Sequence, residues 1–352
     1  MQKIETGIIG FGTGGRIFHA PFVYGSDRFL LKKICTSRAA SADLARTSFP
    51  QTEIVPQADS LINDASIELI IIATPNTSHL TLAKKALLAG KHVIVEKPFT
   101  IKVAEADELI ALAAKQDRLL TVHHNRRWDS DFKTVKKIID QKLLGILVEY
   151  EAHFDRFRNE IKTDSWRETE TAGAGILYDL GAHLIDQALC LFGMPAELFS
   201  HLQVQRPGGK SIDYFELLLF YHGLKVTLKA GMLVREPLPH FILSGTQGSF
   251  VKYGMDTQEV ALKNGLTPFN SLNWGEEPDT IWGRINTDIN GVHQHGSIKS
   301  EKGDYPAFYE NIYNAIRFNA PLAVTAQQAR DTIKIIELAL KSNSEKRTIR
   351  VA

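Results

Sequence analysis

Residues 6–15 read Thr6-Gly7-Ile8-Ile9-Gly10-Phe11-Gly12-Thr13-Gly14-Gly15, an apolar run that passes directly into glycines. The glycines match the pattern GxGxxG. In that pattern the first glycine allows a tight turn, the second lets the backbone approach a pyrophosphate, and the third permits close packing of a helix on a strand. The free N–H groups at the start of the following helix would bind the anion. A packing turn is the alternative for a lone glycine motif, but directly after a strand the motif predicts dinucleotide binding by residues 10–15.

The segments that follow alternate between strand and helix patterns. Apolar runs rich in Ile and Val recur at residues 29–35, 68–73, 92–95 and 119–123, with a shorter run at 53–55. Helical periodicity fills residues 77–89 and 102–116, and Gly90 stands where a helix ends. Continuous aliphatic runs are expected of parallel strands that are covered on both faces. Residues 1–124 are therefore predicted to form a Rossmann domain with a doubly wound parallel sheet.

The pattern changes in residues 125–352, where longer strands with hairpin-like breaks dominate. Strands are predicted at 146–157, 197–205, 213–221, 225–234 and 240–245, helices at 173–192, 305–318 and 326–342, and an edge strand at 347–351. Residues 265–303 have weak periodicity and are predicted to be loops. This part is expected to be an α+β domain with a large, mostly antiparallel open sheet, which binds substrate and supports oligomerisation.

Composition excludes several classes of protein. The 352 residues carry 41 Lys plus Arg against 40 Asp plus Glu, a net charge of +1, so there is no general attraction to nucleic acid. Two cysteines cannot build a disulfide framework or a Cys-rich zinc site, and no metal is predicted. No apolar run is long enough for a membrane span, and the N-terminus begins in strand pattern without a signal peptide. A cytoplasmic protein that binds neither nucleic acid nor membrane is expected.

The end of the second strand distinguishes between the two nicotinamide dinucleotides. An NAD site places an acidic residue about 20 positions beyond the glycines, where it binds the ribose 2′-hydroxyl. Here the sequence is Cys35-Thr36-Ser37-Arg38. Ser37 and Arg38 suit a 2′-phosphate, because a guanidinium binds phosphate through two parallel hydrogen bonds. NADP is predicted; the alternative is that Arg38 is a solvated residue at the start of the next helix.

Polar residues also follow the third long strand. The stretch Ala73-Thr74-Pro75-Asn76 leads into a helix, and the carboxyl ends of such strands are where ligands bind. Thr74, Asn76 and His79 are predicted to line the cofactor. The alternative, which is compatible with this role, is turn and cap chemistry with Asn76 or Thr77 as the N-cap.

Two groups of residues have the chemistry of a catalytic site. Glu96-Lys97-Pro98 follows the fourth long strand, where Lys97 would act as an acid/base or orient a substrate hydroxyl; a surface lysine is the alternative. Asp179 and His183 are four residues apart and would share a helix face, where the carboxylate would orient the imidazole as a general base. A structural pair is the alternative. A metal site with Asp186 lacks a fourth ligand, and Asp186 is expected to have a supporting role.

Further candidates are less specific. His123-His124-Asn125-Arg126-Arg127-Trp128-Asp129 would contact polar substrate or nicotinamide, or else form a network at the domain junction. Trp166-Arg167 would either cover the cofactor or pack at that junction. Arg156 and Arg158 are candidates for a polar pocket. His293 and His295 form an HxH pattern without supporting ligands and are expected to be solvated.

Together, the glycine motif, Glu96-Lys97-Pro98 and Asp179-x3-His183 resemble the Gfo/Idh/MocA oxidoreductase family over essentially the whole chain. The resemblance implies that Lys97, Asp179 and His183 form the catalytic set and hold the substrate, with Arg127 and Arg156 as further substrate contacts. It also implies a cofactor site that extends from the glycines to Ser37, Arg38, Ala73, Thr74, Pro75, Asn76, His79, Glu96, Lys97, Asn125, Trp166 and Arg167. A homodimer or homotetramer is expected.

Within the family, stretches such as Thr36-Ser37-Arg38, His124–Asp129 and Leu177–Gly181 are most similar to NADP-dependent scyllo-inositol 2-dehydrogenases. This resemblance implies interconversion of a secondary alcohol and a ketone on a cyclic polyol or sugar. The chain departs from many members at Ala172-Gly173-Ala174-Gly175, where a denser glycine run is usual. The alternatives are an NADPH-dependent reductase of another sugar or anhydroketose, and a non-catalytic NADP(H)-binding regulator.

Overall fold

The structure, a computed structural model, describes residues 2–162 and 165–351. The chain folds into two compact units. The first comprises Met1–Asn125, Gln258–Trp274 and Asp304–Arg330, and the second comprises Arg126–Thr257, Gly275–Gly303 and Asp331–Ala352. Within the described ranges, no helix is both long and apolar enough to cross a bilayer.

The first unit is built on a six-stranded parallel sheet. Its strands are β1 (Ile4–Ile9), β2 (Phe29–Cys35), β3 (Glu53–Val55), β4 (Leu69–Ile72), β5 (His92–Val95) and β6 (Leu120–Val122), in the spatial order β3-β2-β1-β4-β5-β6. Every residue of β4 is fully buried, and each such aliphatic side chain contributes about 1.5–3 kcal/mol. The predicted doubly wound sheet is confirmed. Its strand order changes direction between β1 and β4, which is where ligands bind in such sheets.

The helices alternate with these strands and continue into the second unit. They are α1 (Ala20–Gly25), α2 (Ala39–Ser48), α3 (Asp59–Ile62), α4 (His79–Leu88), α5 (Val103–Lys115), α6 (Ser130–Asp140), α7 (Ala182–Phe192), α8 (Gln258–Lys263), α9 (Pro306–Phe318) and α10 (Ala326–Glu345). Two of them begin with a π-helical turn, at Gly14–His19 before α1 and at Leu177–Gly181 before α7. The helix predicted over 173–192 therefore begins at Leu177.

The second unit is built on a nine-stranded sheet. Its strands are β7 (Leu147–His153), β8 (Glu197–Gln203), β9 (Tyr214–Tyr221), β10 (Leu224–Gly231), β11 (Phe241–Gly245), β12 (Gly248–Lys252), β13 (Gly283–Ile289), β14 (Val292–Ile298) and β15 (Ile349–Arg350). The order is β14-β13-β12-β11-β7-β10-β9-β8-β15. The pair β7–β10 is parallel and the other recorded pairs are antiparallel, which confirms the predicted open sheet.

The prediction of loops over 265–303 is wrong in part. Strands β13 and β14 lie in this segment and form one edge of the sheet. Strand β13 buries alternate residues, among them Ile285 and Thr287, whereas residues 292–297 of β14 are exposed. His293 and His295 are exposed as expected, but they lie on β14 rather than in a loop. Helix α6 and strand β12 are further elements that the sequence patterns did not reveal.

Candidate active site

The three motif glycines meet different surroundings. Gly10 has φ +99°, and a Cβ there would lie 2.5 Å from the carbonyl oxygen of Ala73. A Cβ on Gly15 would lie 2.0 Å from the carbonyl oxygen of Gly10, so both positions are closed to any side chain. A Cβ on Gly12 would meet nothing within 4 Å. Because packing does not explain the glycine at position 12, the open space beside it fits the approach of a pyrophosphate to the backbone.

The glycine turn lies against the ends of two strands. The N–H of Gly10 donates to the carbonyl of Cys35 at the end of β2 (3.0 Å), and Ala73 follows β4. Ser37 and Arg38 come directly after β2, and both are exposed. Arg38 immediately precedes α2. This position agrees both with binding of a 2′-phosphate by Arg38 and with the alternative that Arg38 is a solvated residue at the start of the helix. An exposed guanidinium three residues beyond the end of β2 suits a 2′-phosphate.

The loop after β4 is held by side-chain contacts. The hydroxyls of Thr74 and Ser78 lie 2.6 Å apart, and buried Asn76 begins a 3₁₀ turn that leads into α4. The residues at the cap positions are Pro75 and Ser78, neither of which makes a side-chain cap bond. The predicted capping by Asn76 or Thr77 is therefore wrong. Thr74 and Asn76 remain predicted cofactor contacts.

His79 is buried, and both ring nitrogens contact backbone carbonyls. Nδ1 lies 2.9 Å from the oxygen of Pro98, and Nε2 lies 3.0 Å from the oxygen of Thr74. The ring thus links the segment after β4 to the segment after β5. Its predicted contact with the cofactor stays a prediction, whereas this structural link is observed.

Glu96 follows β5 and accepts hydrogen bonds with both carboxylate oxygens. Oε1 lies 3.0 Å from Nε2 of His19 and 3.1 Å from Nδ1 of His123, and Oε2 accepts the N–H of Lys97 (2.9 Å). Burial alone would raise the pKa of Glu96, but hydrogen bonds from His123 and His19 outweigh it and hold the pKa well below the usual value. Glu96 is therefore a carboxylate anion, with a side chain that is 13% exposed. The Lys97–Pro98 peptide bond is cis.

In the second unit, Asp179 lies on the π-helical turn and His183 on the first turn of α7. His183 is buried, whereas the Asp179 side chain is 25% exposed and its Oδ1 lies 3.4 Å from Nε of Arg167. Arg167 in turn lies over the ring of Trp166, 4.8 Å from its centre. Trp166, Arg167 and Asp179 are thus neighbours, while the orientation of His183 by Asp179 stays a prediction.

The arginines near Asn125 have specific partners. Nε and Nη2 of Arg127 donate to the two oxygens of Asp186 (2.8 and 2.7 Å), both side chains being buried. Asp186 therefore has the supporting role expected of it, while substrate binding by Arg127 stays a prediction. Asn125 is buried at the start of a 3₁₀ turn. The guanidinium of Arg156 lies over Phe154 at 4.9 Å, which leaves its predicted role in substrate binding open to test.

Arg206 is a site-related residue that the sequence analysis missed. It is buried; Nε donates to Asp213 (2.8 Å), Nη2 donates to Glu168 (2.6 Å), and Nη1 donates to the carbonyls of Arg158 and Glu160. It therefore fixes the segment that carries Trp166 and Arg167. The partners lie up to 48 residues away, so no local pattern could have identified this residue.

Two family matches cover most of the chain. Residues 4–124 match the NAD-binding Rossmann fold of the oxidoreductase family Gfo/Idh/MocA, and residues 136–351 match its C-terminal alpha/beta domain. Two relatives align over nearly their full length. The scyllo-inositol 2-dehydrogenase (NADP(+)) IolW of Bacillus subtilis strain 168 is 39% identical, over 99% of this chain and 96% of IolW. The uncharacterized oxidoreductase YdgJ of Escherichia coli K12 is 40% identical, over 100% and 99%.

Solved structures agree with these matches. The oxidoreductase yvaA of Bacillus subtilis superposes with a TM-score of 0.95 at 38% identity, over 99% of this chain and 98% of that one. The YPO2259 oxidoreductase of Yersinia pestis gives 0.93 at 40% identity, over 99% and 97%. The fold and the glycine turn thus define an oxidoreductase with a dinucleotide-binding Rossmann domain. The chain belongs to the Gfo/Idh/MocA oxidoreductase family.

Proposed function

We propose that the protein is an NADP(H)-dependent oxidoreductase that interconverts a secondary alcohol and a ketone on a cyclic polyol, with scyllo-inositol as the substrate. The observation that carries the cofactor choice is the exposed Ser37-Arg38 pair, which stands after β2 in place of an acidic residue. The full-length similarity to an enzyme named as an NADP-dependent scyllo-inositol 2-dehydrogenase supports the substrate.

Most of the residues that would hold NADP belong to the first unit. The N–H groups of the glycine turn would bind the pyrophosphate, Arg38 and Ser37 the 2′-phosphate, and the segment from Ala73 to Asn76 the nicotinamide half, with Asn125, Trp166 and Arg167 as further contacts. Bound NADP supplies a hydride acceptor. Gly12 supports the fit, because a Cβ there would meet nothing within 4 Å, which leaves space beside the backbone for a ligand.

The chain's own residues would move the proton. During oxidation the carbinol C–H leaves as a hydride, its O–H proton passes to a neutral His183, and a carbonyl forms, so atoms and charge balance. Asp179 would orient His183, and the Lys97 ammonium would donate a hydrogen bond to the reacting oxygen. Arg127 and Arg156 complete the proposed substrate set. In the reverse direction His183 returns the proton to the alkoxide.

The proposal includes assembly as a homodimer or homotetramer. Strand β9 buries Phe215, Leu217 and Leu219 on one face and leaves Leu218 and Phe220 half-exposed on the other. Apolar side chains on the open face of a sheet favour contact with a second copy. Light scattering coupled to size exclusion measures the mass directly, and a single mass of one chain contradicts this part of the proposal.

The test is an assay of NADPH formation with a panel of inositols and aldoses, with NAD in parallel. Turnover of scyllo-inositol with NADP is expected. Lys97→Met should lower kcat by about 10²- to 10⁴-fold, whereas Lys115→Met, an exposed lysine at the end of α5, should leave it unchanged. Turnover of an aldose alone would replace scyllo-inositol as the proposed substrate. NADPH binding without turnover of any panel member would favour a regulator.

A further inference from the structure

A buried network links Glu96 to three aromatic side chains of the first unit. It consists of Glu96, His19 on the π-helical turn, His123 after β6, and Tyr309 on α9, and it is called the Glu96 network below. The rings of His19 and His123 lie 4.3 Å apart, and Tyr309 packs edge-on to His19. Both histidines and the tyrosine are at most 3% exposed.

The two imidazole nitrogens converge on one atom, Oε1 of Glu96. Such convergence could indicate a metal site, since two His and one Glu are common ligands. The point on which the nitrogens converge, however, is the carboxylate oxygen itself, at hydrogen-bond distance from each. The geometry is therefore that of an anion bound by two N–H donors.

The protonation of His19 fits this arrangement. Burial, assisted by His123, lowers the pKa of His19 to about 4, so the ring is neutral at pH 7 and has one N–H. The Tyr309 hydroxyl lies 2.9 Å from Nδ1 of His19 and 2.5 Å from the carbonyl oxygen of Phe18. The Tyr309 hydroxyl has one proton, which it donates to the carbonyl oxygen of Phe18. A carboxylate oxygen only accepts, so the 3.0 Å contact of Nε2 with Oε1 of Glu96 places the single imidazole proton of His19 on Nε2.

The network holds the backbone on one side of Lys97. Oε2 of Glu96 accepts the Lys97 N–H, and on the other side His79 contacts the carbonyl oxygen of Pro98. A side chain that reaches into a site is only as well placed as its backbone, and a displacement of about 1 Å can cost two orders of magnitude in rate. The position of the Lys97 ammonium therefore depends on groups that lie behind it.

We infer that Glu96, His19 and His123 are positioning residues that place Lys97 for the reaction. The cofactor contact that the family resemblance implies for Glu96 stays a separate prediction. This inference rests on the proposed function, since Lys97 is the group that touches substrate. The titratable groups that face Glu96 are His19, His123, His79, Tyr309 and the adjacent Lys97.

The test compares variants that remove a donor with variants that keep it. His19→Leu and His123→Leu each remove one N–H from Glu96. His19→Gln offers a side-chain N–H near the position of Nε2, and His123→Asn offers one near Nδ1. The leucine variants should lower kcat for the polyol by about 10- to 100-fold with NADPH affinity unchanged, while the amide variants should stay within about threefold of wild type.

The pH profile separates positioning from packing. With one donor lost, burial raises the pKa of Glu96, so the acidic limb of the kcat profile should lie at higher pH in the leucine variants than in the wild type. Infrared spectra of the protein without substrate report the same protonation, with Glu96→Gln identifying the band. Leucine variants with the wild-type profile, or amide variants as impaired as the leucines, would overturn the inference.

Two further outcomes are distinguishable. A wild-type protein that turns over no polyol or sugar refutes the proposed function, whereas the infrared titration still shows whether the histidines control Glu96. An equivalent of zinc in the purified protein, absent from both leucine variants, would replace the positioning network by a metal site.

Discussion

At the scale of one residue, substitution of Arg38 tests whether the protein prefers NADP to NAD. Its exposed guanidinium follows β2 directly, and a hydrogen bond to a charged partner is worth about 1.5–3 kcal/mol. Arg38→Ala should therefore raise KM for NADP by about 10- to 100-fold and change KM for NAD by less than about threefold. Steady-state kinetics with both cofactors measure the effect.

The matched control is Arg46→Ala on α2, the helix that follows Arg38. Arg46 is 60% exposed and pairs with nearby Asp43, so neither KM should change. Equal loss with NADP and NAD in Arg38→Ala would mean that the residue supports the fold and not the 2′-phosphate.

His183 tests the proposed proton transfer. His183→Asn keeps a polar side chain but removes the base, so kcat for polyol oxidation should fall by about 10²- to 10⁴-fold while the Kd for NADPH stays within about threefold. Stopped-flow absorbance measures hydride transfer, and fluorescence titration measures the Kd. The control is His222→Asn, an exposed histidine in the β9–β10 turn. Wild-type hydride transfer in His183→Asn would assign the proton to another group.

At the scale of elements, the buried guanidinium of Arg206 holds Arg158, Glu160 and Glu168 against the β8–β9 connection. Glu168→Gln keeps the shape of the side chain and removes its charge, at a cost of about 1 kcal/mol, which is about fivefold in the open population. Trypsin cleavage after Arg158, Lys162 and Arg167 should accelerate by that factor. The kcat should fall as well, because Arg167 contacts Asp179.

Glu170→Gln provides the comparison, because Glu170 is exposed and lies two residues further along the same segment. It should leave both the cleavage rate and kcat unchanged. Faster cleavage with unchanged kcat in Glu168→Gln would separate the anchoring of the segment from the chemistry at Asp179.

Whether a helix or strand could be predicted from the sequence depends on the pattern of apolar residues within it. Strands β4 and β5 are nearly all aliphatic, because both faces of the sheet are covered. Such continuous aliphatic runs can be predicted as strands from the sequence alone. Strand β14, Val-His-Gln-His-Gly-Ser-Ile, is exposed along most of its length, so no apolar alternation marks it. Strand β12 contains Lys252, which a sequence pattern predicts to be exposed. In the structure its side chain is buried, 3.0 Å from the buried carboxylate of Glu277, and this partner cannot be identified from the sequence.

The same distinction applies to the candidate site. Gly10, Gly12 and Gly15 stand in one short motif whose spacing carries a physical reason, so the sequence predicted their role. The Glu96 network joins residues from positions 19, 96, 123 and 309, and the Arg206 contacts reach back to Arg158. Such groups meet only after the chain has folded, and a single sequence contains no signal that pairs them.

At the scale of the whole molecule, stability depends on a buried acidic group in the second unit. Asp131 at the start of α6 is fully buried, 3.5 Å from Nε2 of His240, and near Asp256, Glu277, Lys252 and Tyr150. Burial, together with the charge of Asp256, raises the pKa of Asp131 to about 7. The folded state therefore keeps a proton that the unfolded chain releases near pH 4.

The sign of the pH dependence follows. Between about pH 4 and 7 the unfolded state binds fewer protons at this site, so Asp131 lowers the free energy of unfolding as the pH rises, by at most about 1.4 kcal/mol per pH unit. Asp131→Asn cannot ionise and lacks this loss. The variant should therefore gain stability relative to the wild type across that window, and the difference should level off above about pH 7.

Urea unfolding at several pH values measures this difference. Trp128, Trp166 and Trp282 lie in the second unit and Trp274 in the first, so fluorescence reports mainly the unit that contains Asp131. Asp140→Asn, an exposed carboxylate at the end of α6, should show a difference that stays nearly constant with pH. A constant difference for Asp131→Asn as well would mean that Asp131 is ionised in the folded protein, and that Lys252 compensates three neighbouring carboxylates.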